Sequence, residues 1–126
     1  MKQYIYITNP IYPVRFHVFL NYKTLLEIKQ GIKFKKKTDI KLAQDEIDKL
    51  EWNTSDGYCV FYRGNIFILI KEFIKSAKCY DTLHHEISHA VFKSGEHLGF
   101  QYSVESEEFY SYMHGFITNQ IYKKIL

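Results

Sequence analysis

Residues 80–95 read YDTLHHEISHAVFKSG, and this segment contains the strongest signals for structure and function in the chain. Asp81 or Thr82 is placed to cap the start of a helix, and Gly95 is placed to end it in the left-handed conformation. Between them, apolar residues recur at helical spacing and form one face: Leu83, Ile87, Ala90 and Val91. The segment therefore predicts one amphipathic helix whose apolar face packs on the core.

The other side of this helix carries two histidines four residues apart. At 100° per residue, His85 and His89 lie only about 40° apart around the axis and one turn apart along it. With Glu86 between them they form an H-E-x-x-H motif, in which two imidazoles bind zinc and the glutamate acts on the water that zinc activates. The motif therefore predicts a zinc site. The alternative is an ordinary helix with two surface histidines.

A catalytic zinc needs a third protein ligand and one open position for water. The last predicted helix carries Glu105, Glu107 and Glu108 near its start. Glu108 shares a side with Tyr112 and Gly115, so a helix pressed against the motif helix at Gly115 would hold Glu108 inward. Glu107 would then face solvent, and Glu105 is the reserve ligand. For each acid the alternative is a solvated charge, which is favourable at a helix N-terminus.

The remaining segments predict a small sheet with helices around it. Residues 14–20 alternate apolar and polar side chains and predict a half-buried strand, with residues 3–8 as its partner. Residues 58–73 predict a β-hairpin that turns at Arg63-Gly64-Asn65, and its second arm, apolar on both faces, is expected inside the sheet under a helix. Three further helices are predicted: from Asn21 to about Gly31, from Thr38 to Leu50, and from Val104 to Ile125. The fold class is therefore α+β.

Length and charge limit the classes of protein that the chain can represent. With 126 residues, 46% hydrophobic and 25% charged, it predicts a single domain, residues 1–126, that folds without disulfides or structural metal. The net charge is +3, and four lysines cluster in one run: Lys33, Lys35, Lys36 and Lys37. This excess is too small to indicate a nucleic-acid binder, because such a run is usually a solvated loop or helix end.

Neither a membrane nor an oxidising compartment is indicated. No stretch approaches the roughly 18 apolar residues of a membrane span, and Pro10, Pro13 and Arg15 interrupt the segment where a signal peptide needs a continuous apolar run. Cys59 and Cys79 do not form a C-x-x-C pair and are predicted to be small buried apolar residues. We therefore expect an unexported, cytoplasmic protein.

The order of these elements and motifs resembles the zincin metallopeptidases of the Glu-ligand type, the gluzincins. It is most similar to the minimal single-domain forms, the minigluzincins, and to small phage-encoded metallopeptidases. The matching positions are Thr82, Leu83, His85, Glu86, His89 and Ala90, followed by Glu108, Tyr112 and Gly115. The resemblance implies Zn2+ bound by His85, His89 and Glu108, with Glu86 as the general base. It also implies hydrolysis of a peptide or protein substrate, in the host cytoplasm if the chain is phage-encoded.

The sequence departs from the larger gluzincins in one respect. Those proteins have a second subdomain that closes the cleft and supplies a His or Tyr to stabilise the oxyanion, and the segment after Gly115 is too short for one. Four side chains are candidates for that function: Tyr112, Tyr80, His97 and His114. Their spacing fixes none of them, and we expect Tyr112 to be the catalytic residue beside Glu86. His84, about 100° from His85 around the helix, is a candidate to orient the metal-binding histidines without binding the metal itself.

Two other functional classes fit the same motif. One is a zinc-binding but catalytically weak interaction protein, for example a phage factor that captures a host protein. The other is a metal-dependent hydrolase of a non-peptide substrate. A structural zinc site is closed by four protein ligands, whereas an enzyme site keeps a position for water, so metal content and activity together separate these classes.

Overall fold

The computed structural model describes residues 1–32, 34 and 37–126. Its described part contains four strands and four helices. In chain order these are β1 (Gln3–Thr8), β2 (Arg15–Leu20), α1 (Leu25–Gly31), α2 (Lys37–Asp48), β3 (Gly57–Tyr62), β4 (Asn65–Ile70), α3 (Ala77–His97) and α4 (Glu107–Ile125). The predicted α+β class is therefore confirmed. None of the described helices is long and apolar enough to cross a membrane.

The strands form one mixed sheet in the order β1-β2-β4-β3. The outer pairs, β1 with β2 and β3 with β4, are antiparallel, whereas the central pair β2 and β4 is parallel. The predicted hairpin joins β3 and β4, but the turn residues with positive φ angles are Arg63 (47°) and Gly64 (77°), and Asn65 is already the first residue of β4. Every residue of β4 is buried, so the prediction of an interior strand is also confirmed.

Helices cover both faces of this sheet. Phe16, Val18 and Leu20 of β2 pack into the core beneath α3 and α4. Phe19, from the other face of the same strand, packs with residues of α1 and α2. The prediction that this strand is half-buried was therefore wrong, because a second helical layer covers the face that the sequence pattern marked as polar. His17 lies on that face and is buried.

His17 is held by hydrogen bonds at both ring nitrogens. The Arg15 Nε–H donates to Asn65 Oδ1 over 3.0 Å, which identifies this atom as the amide oxygen. Because an amide oxygen can only accept, His17 Nε2 is the donor in its own 3.0 Å bond to the same atom. His17 Nδ1 is then the acceptor for the Tyr4 hydroxyl, 2.7 Å away. Burial lowers the pKa of His17 to about 4, with a smaller opposing effect of Asn65 and a further lowering by Arg15. The imidazole is therefore neutral, with its proton on Nε2.

The first two helices begin at other residues than predicted. The cap of α1 is Thr24, whose side chain accepts a hydrogen bond from the backbone N–H of Glu27. Asn21 has a φ of 65°, and its side chain bonds the backbone of Phe73 instead. Thr38 lies inside α2, which begins at Lys37 and ends at Asp48. The lysine run, which was predicted to be a solvated loop or helix end, lies mostly outside the described residues, since these exclude Lys33, Lys35 and Lys36.

The motif helix α3 is longer than the sequence indicated. Ser76 caps it by accepting from the backbone N–H of Cys79, so Asp81 and Thr82 are interior. Gly95 does not end the helix, because α3 continues to His97 and the left-handed glycine is Gly99, with a φ of 83°. A Cβ at Gly95 would lie 2.7 Å from ring atoms of Tyr110 in α4. Gly95 is therefore the point at which the two helices approach each other.

Candidate metal centre

The ring nitrogens of the two motif histidines lie close together at the surface of α3. The Nε2 atoms of His85 and His89 lie 3.2 Å apart, and the two rings are inclined at 79°. Two ligand nitrogens at about 2.05 Å from a tetrahedral zinc would be about 3.3 Å apart. The observed separation therefore fits the ion, and it also permits an N–H···N hydrogen bond in the metal-free chain.

The position of these histidines follows from the amphipathic pattern of α3. Leu83, Ile87 and Ala90 are fully buried and lie about 140–160° around the helix from His85. His85 and His89 are consequently exposed on the outer side of the helix. The face opposite the core is thus the face that carries the two motif histidines.

Glu86 differs from its two neighbours because it is buried, with 5% of its surface exposed. One ligand atom from each of His85, Glu86 and His89 lies within 4.8 Å of the others. Burial raises the pKa of Glu86 above its ordinary value, and nearby His85 partly lowers it. A carboxylate with a raised pKa beside two imidazoles is suited to accept and return a proton.

The burial of Glu86 is caused by the start of β3. Its Cγ atom would lie 3.0 Å from a Cβ placed on Gly57, the first residue of that strand. In the described sheet, β3 is an outer strand with β4 as its neighbour on one side. The candidate centre therefore borders a sheet edge.

Neither cysteine belongs to the group of possible metal ligands formed by His85, Glu86 and His89 in the described residues. Both are half-buried free thiols, whereas the sequence predicted small buried apolar residues. Burial, and next the Glu86 carboxylate, raise the pKa of Cys59 to about 12, with Lys93 opposing them. Cys59 therefore stays protonated in the metal-free protein.

On its other side, α3 packs against α4 through His84 rather than through the motif histidines. His84 Nε2 and the Tyr122 hydroxyl are 2.7 Å apart, and the His84 ring stacks on His114 at 5.8 Å. Beyond them lies an open groove of about 430 Å³ whose lining includes Ser88, Phe92 and Tyr110. His84 thus joins the two helices, and none of its observed bonds is to His85.

The structure does not bring Glu108 to the histidine pair. Glu108 is exposed in the first turn of α4, and Gly115, the predicted contact with α3, has nothing within 4 Å of a Cβ placed on it. Tyr112, on the same side of α4, accepts a hydrogen bond from Asn9 and lies against the ring of Tyr12. The expected packing at Gly115 was therefore wrong, since α4 turns that side away from α3. Whether Glu108 binds metal stays a prediction.

The other two acids and the proposed oxyanion residues are also dispersed. Glu107 is exposed, and Glu105 lies before α4 begins. Tyr80 packs between Phe73 and Tyr122, and His97 lies beside Phe61 at the far end of α3, about 12 Å along the helix from His89. Of the residues predicted for oxyanion stabilisation, neither histidine, His97 or His114, belongs to the group of possible metal ligands formed by His85, Glu86 and His89 in the described residues.

Sequence reasoning missed Gly57 and Thr82 as neighbours of Glu86. Thr82 entered only as a helix cap and as part of the motif resemblance, and Gly57 received no assignment. The available signal was a glycine directly before a β-rich run, which often marks a close approach between backbone and another group.

No protein family model, no curated protein and no solved structure matches this chain.

Proposed function

We propose that this protein is a zinc-dependent peptidase in which His85 and His89 hold the metal and Glu86 acts as general base. The observation that supports this most directly is the 3.2 Å separation of the two Nε2 atoms, next to a buried carboxylate. When bound, zinc supplies a Lewis acid for the substrate carbonyl and lowers the pKa of a coordinated water toward ~7. The residues present fit such an ion, because imidazole nitrogens at this spacing are preferred zinc ligands.

Glu86 performs the proton transfers in this proposal. Its carboxylate takes a proton from the attacking water and later gives it to the leaving amine nitrogen. The burial that raises its pKa makes it a stronger base than an exposed carboxylate and a more effective acid in the second step. His85 stands beside it and contributes an opposing, smaller effect on the same pKa.

The edge of β3 gives the substrate a place to bind. An extended peptide can add to an outer strand through main-chain hydrogen bonds, and β3 begins at Gly57, against Glu86. A peptide lying along β3 would carry its carbonyl groups past the candidate centre. We therefore propose unfolded or extended segments as substrates, rather than folded proteins.

A paired measurement of turnover and metal content tests the proposal. Glu86→Gln should keep zinc and lose cleavage of a broad peptide library, whereas the exposed Glu96→Gln on the same helix should keep both. Zinc-loaded wild type that cleaves no peptide in the library would contradict the proposal. The better account would then be a zinc-binding interaction protein, which the exposed histidines and the distant acids of α4 would also fit.

A further inference from the structure

The start of β3 approaches α3 so closely that a side chain at Gly57 would crowd the residues of the helix. A Cβ placed on Gly57 would be 3.0 Å from Glu86 Cγ, 3.0 Å from Thr82 Cγ2 and 3.1 Å from Glu86 Oε2. Ordinary contacts between such atoms are about 3.5–4.0 Å. The strand backbone therefore lies directly against the Glu86 carboxyl group.

Backbone conformation does not explain the glycine at this position. The glycines with positive φ are Gly64 and Gly99, whereas Gly57 is a strand residue paired with Ile70. An alanine at position 57 could adopt the same backbone. The close approach of the two elements explains it instead, because a Cβ at position 57 would crowd the side chains of Glu86 and Thr82.

Thr82 closes the other side of this contact. Its hydroxyl donates to the backbone carbonyl of Lys78 over 3.1 Å, which fixes the rotamer and directs the methyl group toward Gly57. Glu86 lies one turn further along the same face of α3. The Glu86 side chain is thus confined between its own helix and the strand, instead of extending into solvent as the side chains of His85 and His89 do.

We propose that Gly57 is a positioning residue for Glu86. By letting β3 close on α3, it holds the carboxylate beside the histidine pair and next to the strand edge where the peptide would lie. This inference rests on the proposed peptidase function for its catalytic meaning, although the contact itself exists without metal. A methyl group at position 57 must displace the carboxylate by several tenths of an ångström, and a displacement near 1 Å can cost ~10²-fold in rate.

The first part of the test uses zinc-loaded protein. We expect Gly57→Ala to lower kcat about 10-fold, with KM and zinc content within about twofold of wild type, since neither histidine is touched. Combining it with Thr82→Ser, which removes the methyl group and keeps the hydroxyl, should recover part of the lost kcat. Gly115→Ala is the matched control, because a Cβ there meets nothing within 4 Å. Unchanged kcat in Gly57→Ala overturns the proposal.

The second part uses metal-free protein and does not depend on activity. If the added methyl group presses on Glu86, the loss of unfolding free energy caused by Gly57→Ala should fall to about half or less when Glu86 is replaced by Ala. An equal loss in both backgrounds overturns the contact and with it the positioning role. A third outcome is that the two substitutions are coupled in stability while the zinc-loaded wild type cleaves no peptide. That outcome would contradict the proposed function, and the role of Gly57 would then be packing alone.

Discussion

The Nε2 atoms of His85 and His89 lie 3.2 Å apart on successive turns of α3. A helix with a fully buried opposite face cannot rotate easily, so this pair is fixed in direction as well as in spacing. Metal binding at the pair would then cost little ordering of the protein, and it should depend on both imidazoles together.

The first prediction is that the chain binds one zinc ion. Protein purified without chelator and incubated with zinc should contain about one zinc per chain by elemental analysis, and His85→Ala or His89→Ala should lower this strongly. His97→Ala is the matched control, because His97 is on the same helix about 12 Å beyond His89. Less than about 0.2 zinc per chain in the wild type would remove the basis for a metalloenzyme.

The second prediction concerns the third ligand. The resemblance to gluzincins implies that Glu108→Ala weakens zinc binding more than Glu107→Ala or Glu105→Ala does. The loss of zinc affinity in Glu108→Ala should exceed roughly 10²-fold, which is about the largest loss caused by mutating a residue that only supports a metal ligand. Zinc affinity measured by competition with a chelator checks this. The orientation of α4 suggests which result would contradict this prediction. Glu107 lies on the same side of the helix as Ser111 and His114, which line the groove against α3. A larger loss of zinc affinity in Glu107→Ala would therefore make Glu107 the third ligand.

The third prediction separates proton transfer from metal binding. Glu86→Gln keeps the volume of the side chain and removes the proton acceptor, so turnover should fall by ~10²-fold or more while zinc content stays at the wild-type value. The same measurements on Glu96→Gln show what loss of an exposed acid on α3 does. If Glu86→Gln instead loses zinc, Glu86 is a ligand and the assignment as general base is wrong.

The fourth prediction uses the buried imidazole of His17. Its pKa is lowered from 6.5 to about 4, so the unfolded chain binds this proton more readily than the folded one. The stabilising contribution is fully present above pH ~6.5 and is lost as the pH falls toward 4, by up to roughly 3 kcal/mol. Urea unfolding of metal-free protein at pH 7, 5.5 and 4.5 measures it. His17→Phe should flatten this pH dependence, and an unchanged slope in that variant would contradict the assignment.

The motif helix and the relative position of its two histidines could be predicted because both depend on local periodicity. Residues 85–89 fix the histidine spacing through helical geometry alone, and the Gly64 turn follows from the conformational freedom of glycine. The burial of His17 could not be predicted, since it depends on a second helical layer that the alternation in β2 does not reveal. The orientation of α4 was missed for a similar reason, because Gly95 was interpreted as a helix end and not as the contact with Tyr110.

The last prediction tests that contact between α3 and α4. Gly95→Ala places a Cβ 2.7 Å from ring atoms of Tyr110 and closer still to its hydroxyl, so the free energy of unfolding should fall by ~1–3 kcal/mol. Tyr110→Phe removes the hydroxyl and should restore part of that loss when combined with Gly95→Ala. Gly115→Ala, in an open position of α4, should instead raise the free energy of unfolding by about 0.5–1 kcal/mol through helix propensity. Chemical unfolding of the four variants checks all three statements. If Gly95→Ala stabilised the protein as Gly115→Ala is expected to, the helices would not meet at Gly95, and the orientation that turns Glu108 away from the histidine pair would be wrong as well.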